Sequence, residues 1–287
     1  IATIDIGGTG IKFASLTPDG KILDKASTPT PKTLEDLLAW LDQRLSERDY
    51  RGIAMSVPGA VHQETGVIEG ISAIPYIHGF SWYEALSHHK LPVHLENDAN
   101  CVGLSELLAH PEIENAACVV VGTGIGGAMI INGKLHRGRH GLGGEFGYMT
   151  TIEPAEKLNN WSQLASTGSM VRYVIEKSGQ SDWDGRKIYQ EAAAGNALCQ
   201  EAIERMNRNL AQGLLNIQYL IDPDVISLGG SISQNPDFIK GVQKAVDAFV
   251  DRYEEYTIAP VIQACTYQAD ANLYGALVNW LQEENQW

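Results

Sequence analysis

Asp5-Ile6-Gly7-Gly8-Thr9-Gly10-Ile11-Lys12 and Gly122-Thr123-Gly124-Ile125-Gly126-Gly127-Ala128-Met129-Ile130 decide how this chain is read. Each is a glycine-rich turn set between apolar, strand-like runs. Ile1 to Ile6 and Ile11 to Leu16 flank the first, and Ala117 to Val121 and Ala128 to Ile131 flank the second. Glycines let backbone come close to a ligand, and the exposed N–H groups of such turns suit phosphate oxygens. Both stretches therefore read as hairpins with a phosphate-facing connection. In the first, Asp5 stands at a strand end, where a carboxylate can hold Mg²⁺ directly or through water while Lys12 and the turn face the phosphates. Alone, Gly-Gly-Thr-Gly is also an ordinary tight turn. The second turn and Asp98, below, favour the ligand.

Two other phosphate motifs are excluded. Gly122 to Gly127 fits G-x-G-x-x-G, but a dinucleotide fingerprint needs a helix directly after the glycines. Here Ala128-Met129-Ile130-Ile131 and then Asn132-Gly133 follow, which is a strand and a hairpin signal. No G-x-x-x-x-G-K-[ST] occurs, so a Walker-type loop is absent as well.

With 287 residues, 44% hydrophobic and 20% charged, the chain is long enough for two domains with substantial cores. Its net charge of −14, from 21 basic and 35 acidic residues, disfavours a sequence-independent grip on nucleic acid or an anionic membrane. Cys101, Cys118, Cys199 and Cys265 are widely spaced, so they read as buried free thiols in a reducing compartment and not as a zinc framework. No signal peptide or membrane-length apolar run is visible, and the cytoplasm is the expected location.

The first half opens with three strand-like runs, Ile1 to Ile6, Ile11 to Leu16 and Lys21 to Ala26, followed by a helix over Thr33 to Glu47 with Thr33 as its cap. A strand at Gly52 to Val57, a second helix, and a strand at Pro92 to Leu95 come next. The second half repeats the theme: strands near Ala117 to Val121, Ala128 to Ile131 and Lys134 to Arg137, then helices over Trp161 to Lys177, Gly195 to Ile221, Asp237 to Tyr253 and Ala269 to Glu284, with strands at Val225 to Leu228 and Val261 to Cys265. The fold class expected is α/β and bilobal, with two mixed-sheet domains around a cleft. The boundary is expected near residue 105, giving domains 1–105 and 106–287, with the C-terminal helix over about 270–287 packing back on the first.

Reactive groups are sought where strands end. Glu96-Asn97-Asp98-Ala99-Asn100 lies at a strand-to-helix junction with no local charge partner in sequence. Asp98 can take a proton from a substrate hydroxyl and Asn97 can hold a neighbouring one, although either could simply cap the helix. Glu145, in the glycine-dense stretch Gly138 to Tyr148, suits bidentate recognition of sugar hydroxyls; such a stretch is also a common surface loop. Ser56-Val57-Pro58-Gly59 ends a strand in a forced turn, and Gly79-Phe80-Ser81-Trp82 offers either an aromatic wall or core. Leu228-Gly229-Gly230 is a strand exit against which a flat ring could lie.

Together these segments resemble the ROK family of sugar kinases, which share the actin-like, hexokinase-type ATPase fold. The likeness rests on Asp5-Ile6-Gly7-Gly8-Thr9, Glu96-Asn97-Asp98-Ala99-Asn100, Gly122-Thr123-Gly124-Ile125-Gly126-Gly127, Gly143-Gly144-Glu145-Phe146-Gly147 and Leu228-Gly229-Gly230, in the family's order over nearly the whole chain. It implies Asp98 as general base, with Pro58, Gly59, Asn97, Glu145 and Tyr148 at the sugar. It implies Asp5, Gly7, Gly8, Thr9, Lys12, Gly122, Thr123, Gly124, Gly126, Gly229 and Gly230 around ATP, with Mg²⁺ at Asp5 through water. A hexose or glucoside substrate, transfer to the 6-hydroxyl and a homodimer are likewise implied.

Two departures from the family stand out. Tyr148 replaces a usual His, and Thr150 to Ser166 carries no Cys or His, so the family's zinc motif is not expected. Ser162 stands where a sugar-contacting Glu belongs. Both changes fall where the family grips the sugar's anomeric end, so a β-glucoside, a disaccharide or N-acetylmannosamine is expected ahead of glucose. A transcriptional repressor would need a DNA-binding helix pair before Asp5, and a sugar-sensing protein without catalysis would not need both turns and Asp98.

Overall fold

The computed structural model describes residues 1–151, 159–252 and 258–287. The chain divides into two compact units: Ile1–Glu112 with Arg137–Gly143 and Ala269–Trp287, and Ile113–His136 with Gly144–Gln268. The division expected near residue 105 falls inside a helix, Asp98–Ala109, and the first unit runs on to Glu112.

In the first unit β1 (Ala2–Ile6) is buried at every position. It lies between β2 (Gly10–Leu16), antiparallel, and β4 (Ile53–Val57), parallel. β3 (Ile22–Pro29) and β7 (Val93–Asn97) complete the order β3-β2-β1-β4-β7. Strands covered on both faces are mostly apolar, and β1 and β4 are buried throughout with only Thr3, Asp5 and Ser56 as polar members. On one face α1 (Leu34–Leu45), capped by Thr33, sets Leu37, Leu41 and Leu45 against Phe13, Ile53 and Met55. On the other, Ala14, Leu16 and Ala54 meet the C-terminal helix α9 (Ala271–Glu283) through Leu273, Leu277 and Trp280. Each such large apolar side chain contributes about 1.5–3 kcal/mol by leaving water.

α9 lies close against α3 (Asp98–Ala109): a Cβ at Gly275 would overlap the carbonyl oxygen of Cys101. The second helix expected between β4 and β7 shrinks to one turn, α2 (Trp82–Ala85). Ahead of it stands a hairpin, β5 (Ala60–His62) with β6 (Val67–Glu69), that three-residue strands do not announce in sequence. Trp82 is fully buried in the core, which settles its role as packing.

The second unit builds the same order from later sequence. β8 (Ala116–Val121), β9 (Ile125–Ile131) and β10 (Lys134–Leu135) form an antiparallel meander, and β13 (Val225–Gly229) and β14 (Ile262–Ala264) add in parallel, giving β10-β9-β8-β13-β14. A small pair, β11 (Thr150–Thr151) and β12 (Asn159–Asn160), leads into the helices. The single helix expected over Trp161 to Lys177 is two, α4 (Trp161–Ala165) and α5 (Thr167–Ser178). Ser166 between them is extended at φ −85°, ψ 162°, and its side chain caps α5. Asn160 and Gln163 form a capping box on α4.

α6 (Gly185–Ala193), short and polar, had no expectation in sequence; α7 (Ala197–Ile221) and α8 (Pro236–Val250) complete the core with Met206, Leu210, Phe238 and Val242. The expected end of the last of these at Tyr253, and part of the Thr150 to Ser166 stretch, lie outside the described residues. All four cysteines are buried thiols outside any disulfide, with Cys118 Sγ 3.7 Å from Cys265 Sγ. Among the described residues no helix is long and apolar enough to cross a membrane.

Candidate active site

The first turn is held tightly by its own backbone. Gly7 N–H donates to Gly10 C=O at 3.1 Å, so that donor is spent inside the turn and does not face a ligand. Thr30, at the end of β3, braces it further by donating its hydroxyl to Gly7 C=O at 2.6 Å and its N–H to Thr9 C=O at 3.4 Å. A cleft of about 500 Å³ lies beside it, lined by Asp5, Gly7, Thr9, Lys12, Ser27 and Thr28 among others.

Asp5, one residue before the end of β1, has 6% of its surface exposed. Its cross-strand partner is Lys12, and the ammonium stands 3.2 Å from Oδ2. Oδ1 accepts from Asn272 Nδ2 at 2.8 Å and from Ser56 Oγ at 3.4 Å. Lys12 is thus folded onto Asp5 and onto the Ala269 carbonyl at 2.5 Å, a pairing added to the expectation that it faces phosphates. Burial explains the pairing, since a nearly buried carboxylate without a cation is costly. The ammonium also marks a place where a cation satisfies Asp5, and hard oxygen donors suit Mg²⁺, so the residues present fit that ion.

β7 delivers Glu96 and Asn97, and α3 begins at Asp98. No charge partner is local to this trio in sequence, and the one the fold supplies comes from 41 residues on: Arg137 Nε lies 2.6 Å from Glu96 Oε2. Glu96, 2% exposed, also accepts from Asn97 N–H and Asn100 Nδ2, each at 2.8 Å through Oε1. Arg137 in turn donates to Asn279 at 2.7 Å and Glu283 at 3.0 Å. Glu96 therefore fixes the strand end and is not reactive.

Asn97 caps α3, its Oδ1 accepting from Ala99 N–H at 2.9 Å and Asn100 N–H at 3.2 Å, while Nδ2 donates to Gly59 C=O at 3.1 Å. The bond to Gly59 ties the Pro58-Gly59 turn to the end of β7. Asp98 Oδ1 accepts from Ala99 N–H at 2.8 Å. Burial raises the Asp98 carboxyl above its ordinary range; the Ala99 N–H opposes this and the charge of Asp5 adds to it.

A second cleft of the first unit, about 460 Å³, opens between the β5–β6 hairpin and the loop after β10, with His62, Gln63, Glu69, Arg137, Arg139 and His140 in its walls. Its edge at Ala60 follows Gly59 directly, and Gln63 Nε2 reaches Leu95 C=O at 3.4 Å.

In the second unit the turn Gly122-Thr123-Gly124 closes on itself, Gly122 N–H donating to Gly124 C=O at 2.9 Å. Gly126 lies outside the turn, paired with Val120 inside β9. Ser166 Oγ donates to Thr123 C=O at 2.9 Å. Ser162 accepts from Ile125 N–H at 2.9 Å, so the position expected to have lost a sugar ligand braces this turn instead.

Gly230, after Gly229 ends β13, has φ +89°, and a Cβ there would overlap the Val121 carbonyl oxygen. Beyond it opens a cavity of about 610 Å³ lined by Thr167, Asp184, Tyr189, Ser231 and Asn235 among others. Two hydroxyls bordering it, Thr167 Oγ1 and Tyr189 OH, are buried with no hydrogen-bond partner. Burial, and then Asp237, raise the Tyr189 phenol, which therefore remains a donor. Orphaned hydroxyls at a cavity fit a polar ligand such as a nucleotide, since leaving each unmet costs about 1–3 kcal/mol. Glu145 precedes a short 3₁₀ turn, Phe146–Tyr148, and Tyr148 is 73% exposed.

Asn272, Thr30, Arg137, Thr167 and Tyr189 carry no local sequence signal. Only a cap-forming Ser-Thr-Gly-Ser at 166–169 could have pointed to Ser166.

The comparisons agree with this geometry. The profile of the ROK family matches residues 1–283. A crystal structure of a ROK family protein from Streptococcus pneumoniae in complex with sucrose is 89% identical, covers 100% of this chain and 99% of its own, and superposes with a TM-score of 0.97. The β-glucoside kinase of Listeria monocytogenes is 35% identical over 100% of this chain and 99% of its own. The ROK hexokinase of Thermus thermophilus is 26% identical, covers 99% of both chains, and has a TM-score of 0.87. The two mixed sheets are accordingly those of the actin-like ATPase fold, and the chain belongs to the ROK family.

Proposed function

We infer that this ROK-family chain, an ATP-dependent carbohydrate kinase, transfers the γ-phosphate to the 6-hydroxyl of a hexose that carries a β-linked substituent, with Asp98 as general base. The observation that carries the reading is the state of Asp98: a carboxylate at a helix start, one oxygen held by Ala99 N–H, its basicity raised by burial. Oδ1 is engaged, so Oδ2 takes the proton as the sugar oxygen attacks. A base of raised pKa is better matched to a hydroxyl proton near neutral pH.

Mg²⁺-ATP supplies the transferable phosphoryl group and its charge neutralisation when bound. Asp5 would hold the ion through water, with Lys12 released toward phosphate oxygens. The Gly122–Gly124 turn and the cavity beyond Gly230 would hold the nucleotide, Thr167 and Tyr189 donating to it. Asn97 would orient a neighbouring sugar hydroxyl through the amide that now meets Gly59. Glu145 and Tyr148 are given to the sugar by family resemblance alone.

The cleft beside Gly59 supports a substituted sugar, since polar and charged walls suit the hydroxyls of a second ring. The Listeria relative named β-glucoside kinase supports the β linkage, and the sucrose bound to the pneumococcal protein, an α-linked disaccharide, supports only the room for a second ring. ATP consumption with glucose, N-acetylmannosamine and cellobiose, followed by NMR of the products, tests this. Highest kcat/KM for cellobiose with phosphate on C6 is expected. Preference for free glucose would overturn the substrate, and no turnover with any sugar would overturn the enzyme.

A further inference from the structure

Away from these clefts, three metal-ligating side chains of the first unit converge. Asp42 is on α1, and His88 and His89 sit together in a 3₁₀ turn, Ser87–His89, shortly before β7. His88 Nε2 lies 3.0 Å and His89 Nε2 2.7 Å from the same oxygen, Asp42 Oδ1. The two imidazole centroids are 4.1 Å apart at 39°. All three donor atoms lie within 4.8 Å of one another.

Adjacent residues in a turn usually send their side chains in different directions, whereas here both rings aim the same nitrogen at one carboxylate. One carboxylate oxygen can accept from both rings, but the convergence of two imidazole nitrogens and a carboxylate on one point is also the donor set a divalent ion takes. Both imidazoles can remain neutral with the proton moved to Nδ1, each Nε2 lone pair binds the metal, and the carboxylate supplies charge.

We propose that Asp42, His88 and His89 form a binding site for a borderline transition-metal cation, with Zn²⁺ as its representative. Two nitrogens and one oxygen with an open side match such ions; bonds of about 2.0–2.2 Å set tetrahedral donors roughly 3.4 Å apart, so Asp42 Oδ1 need only draw back slightly from the two rings to admit one. Mg²⁺ prefers all-oxygen shells and is excluded, which separates this site from Asp5. Side-chain exposures of 43% for Asp42, 55% for His88 and 16% for His89 leave a path for the ion. Occupied, the site pins α1 to the segment entering β7 and so reinforces the face of the sheet that α1 covers. It is independent of the kinase reading. No spacing announces it, because Asp42 and His88 stand 46 residues apart.

The test is calorimetric titration of chelator-treated full-length protein with Zn²⁺, paired with melting temperature. One equivalent bound at micromolar concentration and a higher Tm are expected. His88→Gln with His89→Gln should abolish that equivalent, Asp42→Asn should weaken it at least tenfold, and millimolar Mg²⁺ should not compete. Unchanged metal-free Tm in the variants certifies their folding. Absence of Zn²⁺ binding, equal binding by the double variant, or binding that appears only with association of chains overturns the proposal.

Discussion

The two sheets share one strand order and one pattern of parallel and antiparallel pairing, yet they end in different chemistry. In the first, the register beside the glycine turn pairs Asp5 with Lys12, and the parallel strands end at Val57, two residues before Gly59, and at Asn97, followed by Asp98. In the second, the corresponding register pairs Val120 with Gly126, and the parallel strand ends in Gly229 and Gly230. One copy presents ionisable side chains and the other presents bare backbone. On the function proposed above, a repeated scaffold would separate proton and charge handling from the close backbone approach that a nucleotide needs.

The largest effect expected of breaking this contrast is at Asp98. Asp98→Asn keeps the oxygen that accepts from Ala99 and removes the base, so kcat should fall by about 10²- to 10⁴-fold with sugar affinity retained. The same change should stabilise the fold. An unfolded aspartate titrates near about 3.9, and burial makes the folded one hold its proton to higher pH. Through that window the folded state binds more protons than the unfolded, so stability falls as pH rises and stays lower above it. Asparagine escapes this loss. Tm at pH 7 should therefore be higher in the variant, and the gap should close below about pH 4. Near-normal turnover would remove Asp98 from its role.

Next in size is the ion pair behind it. Arg137→Met leaves Glu96 buried without its cation, at a cost of roughly 2–4 kcal/mol, reduced from the fully buried case because the Arg137 side chain is 28% exposed. Denaturant unfolding measures it. Replacing Glu96 with Gln in that background should restore part of the loss. In the second sheet the matching break is Gly230→Ala, which forces a Cβ into φ +89° against Val121 and should cost about 1–3 kcal/mol. ATP affinity should fall in this variant and sugar affinity should not.

Much of this was legible in sequence because glycine turns, continuous apolar strands and capped amphipathic helices are local signals. Both hairpins, the order of strands and the cap at Thr33 follow from residues within a few positions of one another. What escaped depends on partners far apart in the chain. Asn272 meets Asp5 from 267 positions away, and Arg137 meets Glu96 from 41. The break at Ser166 was hidden because apolar spacing continues through it while its hydroxyl serves a turn 43 residues earlier. The pairing of Lys12 with Asp5 was also unread, although the two are cross-strand partners seven positions apart.

The finest comparison is between the braces of the two turns. Thr30→Val removes the hydroxyl from Gly7 C=O and leaves the weaker backbone bond to Thr9, a net change of about 0.5–1.5 kcal/mol. Ser166→Ala removes the hydroxyl from Thr123 C=O and also uncaps α5, so it should lower Tm where Thr30→Val barely does. If both turns hold phosphate, each variant should raise KM for ATP by about threefold to tenfold, the factor that such a bond represents, with KM for the sugar unchanged. A rise in only one assigns the phosphates to that turn. A rise in neither means that the turns keep their shape through the internal bonds of Gly7 and Gly122 alone.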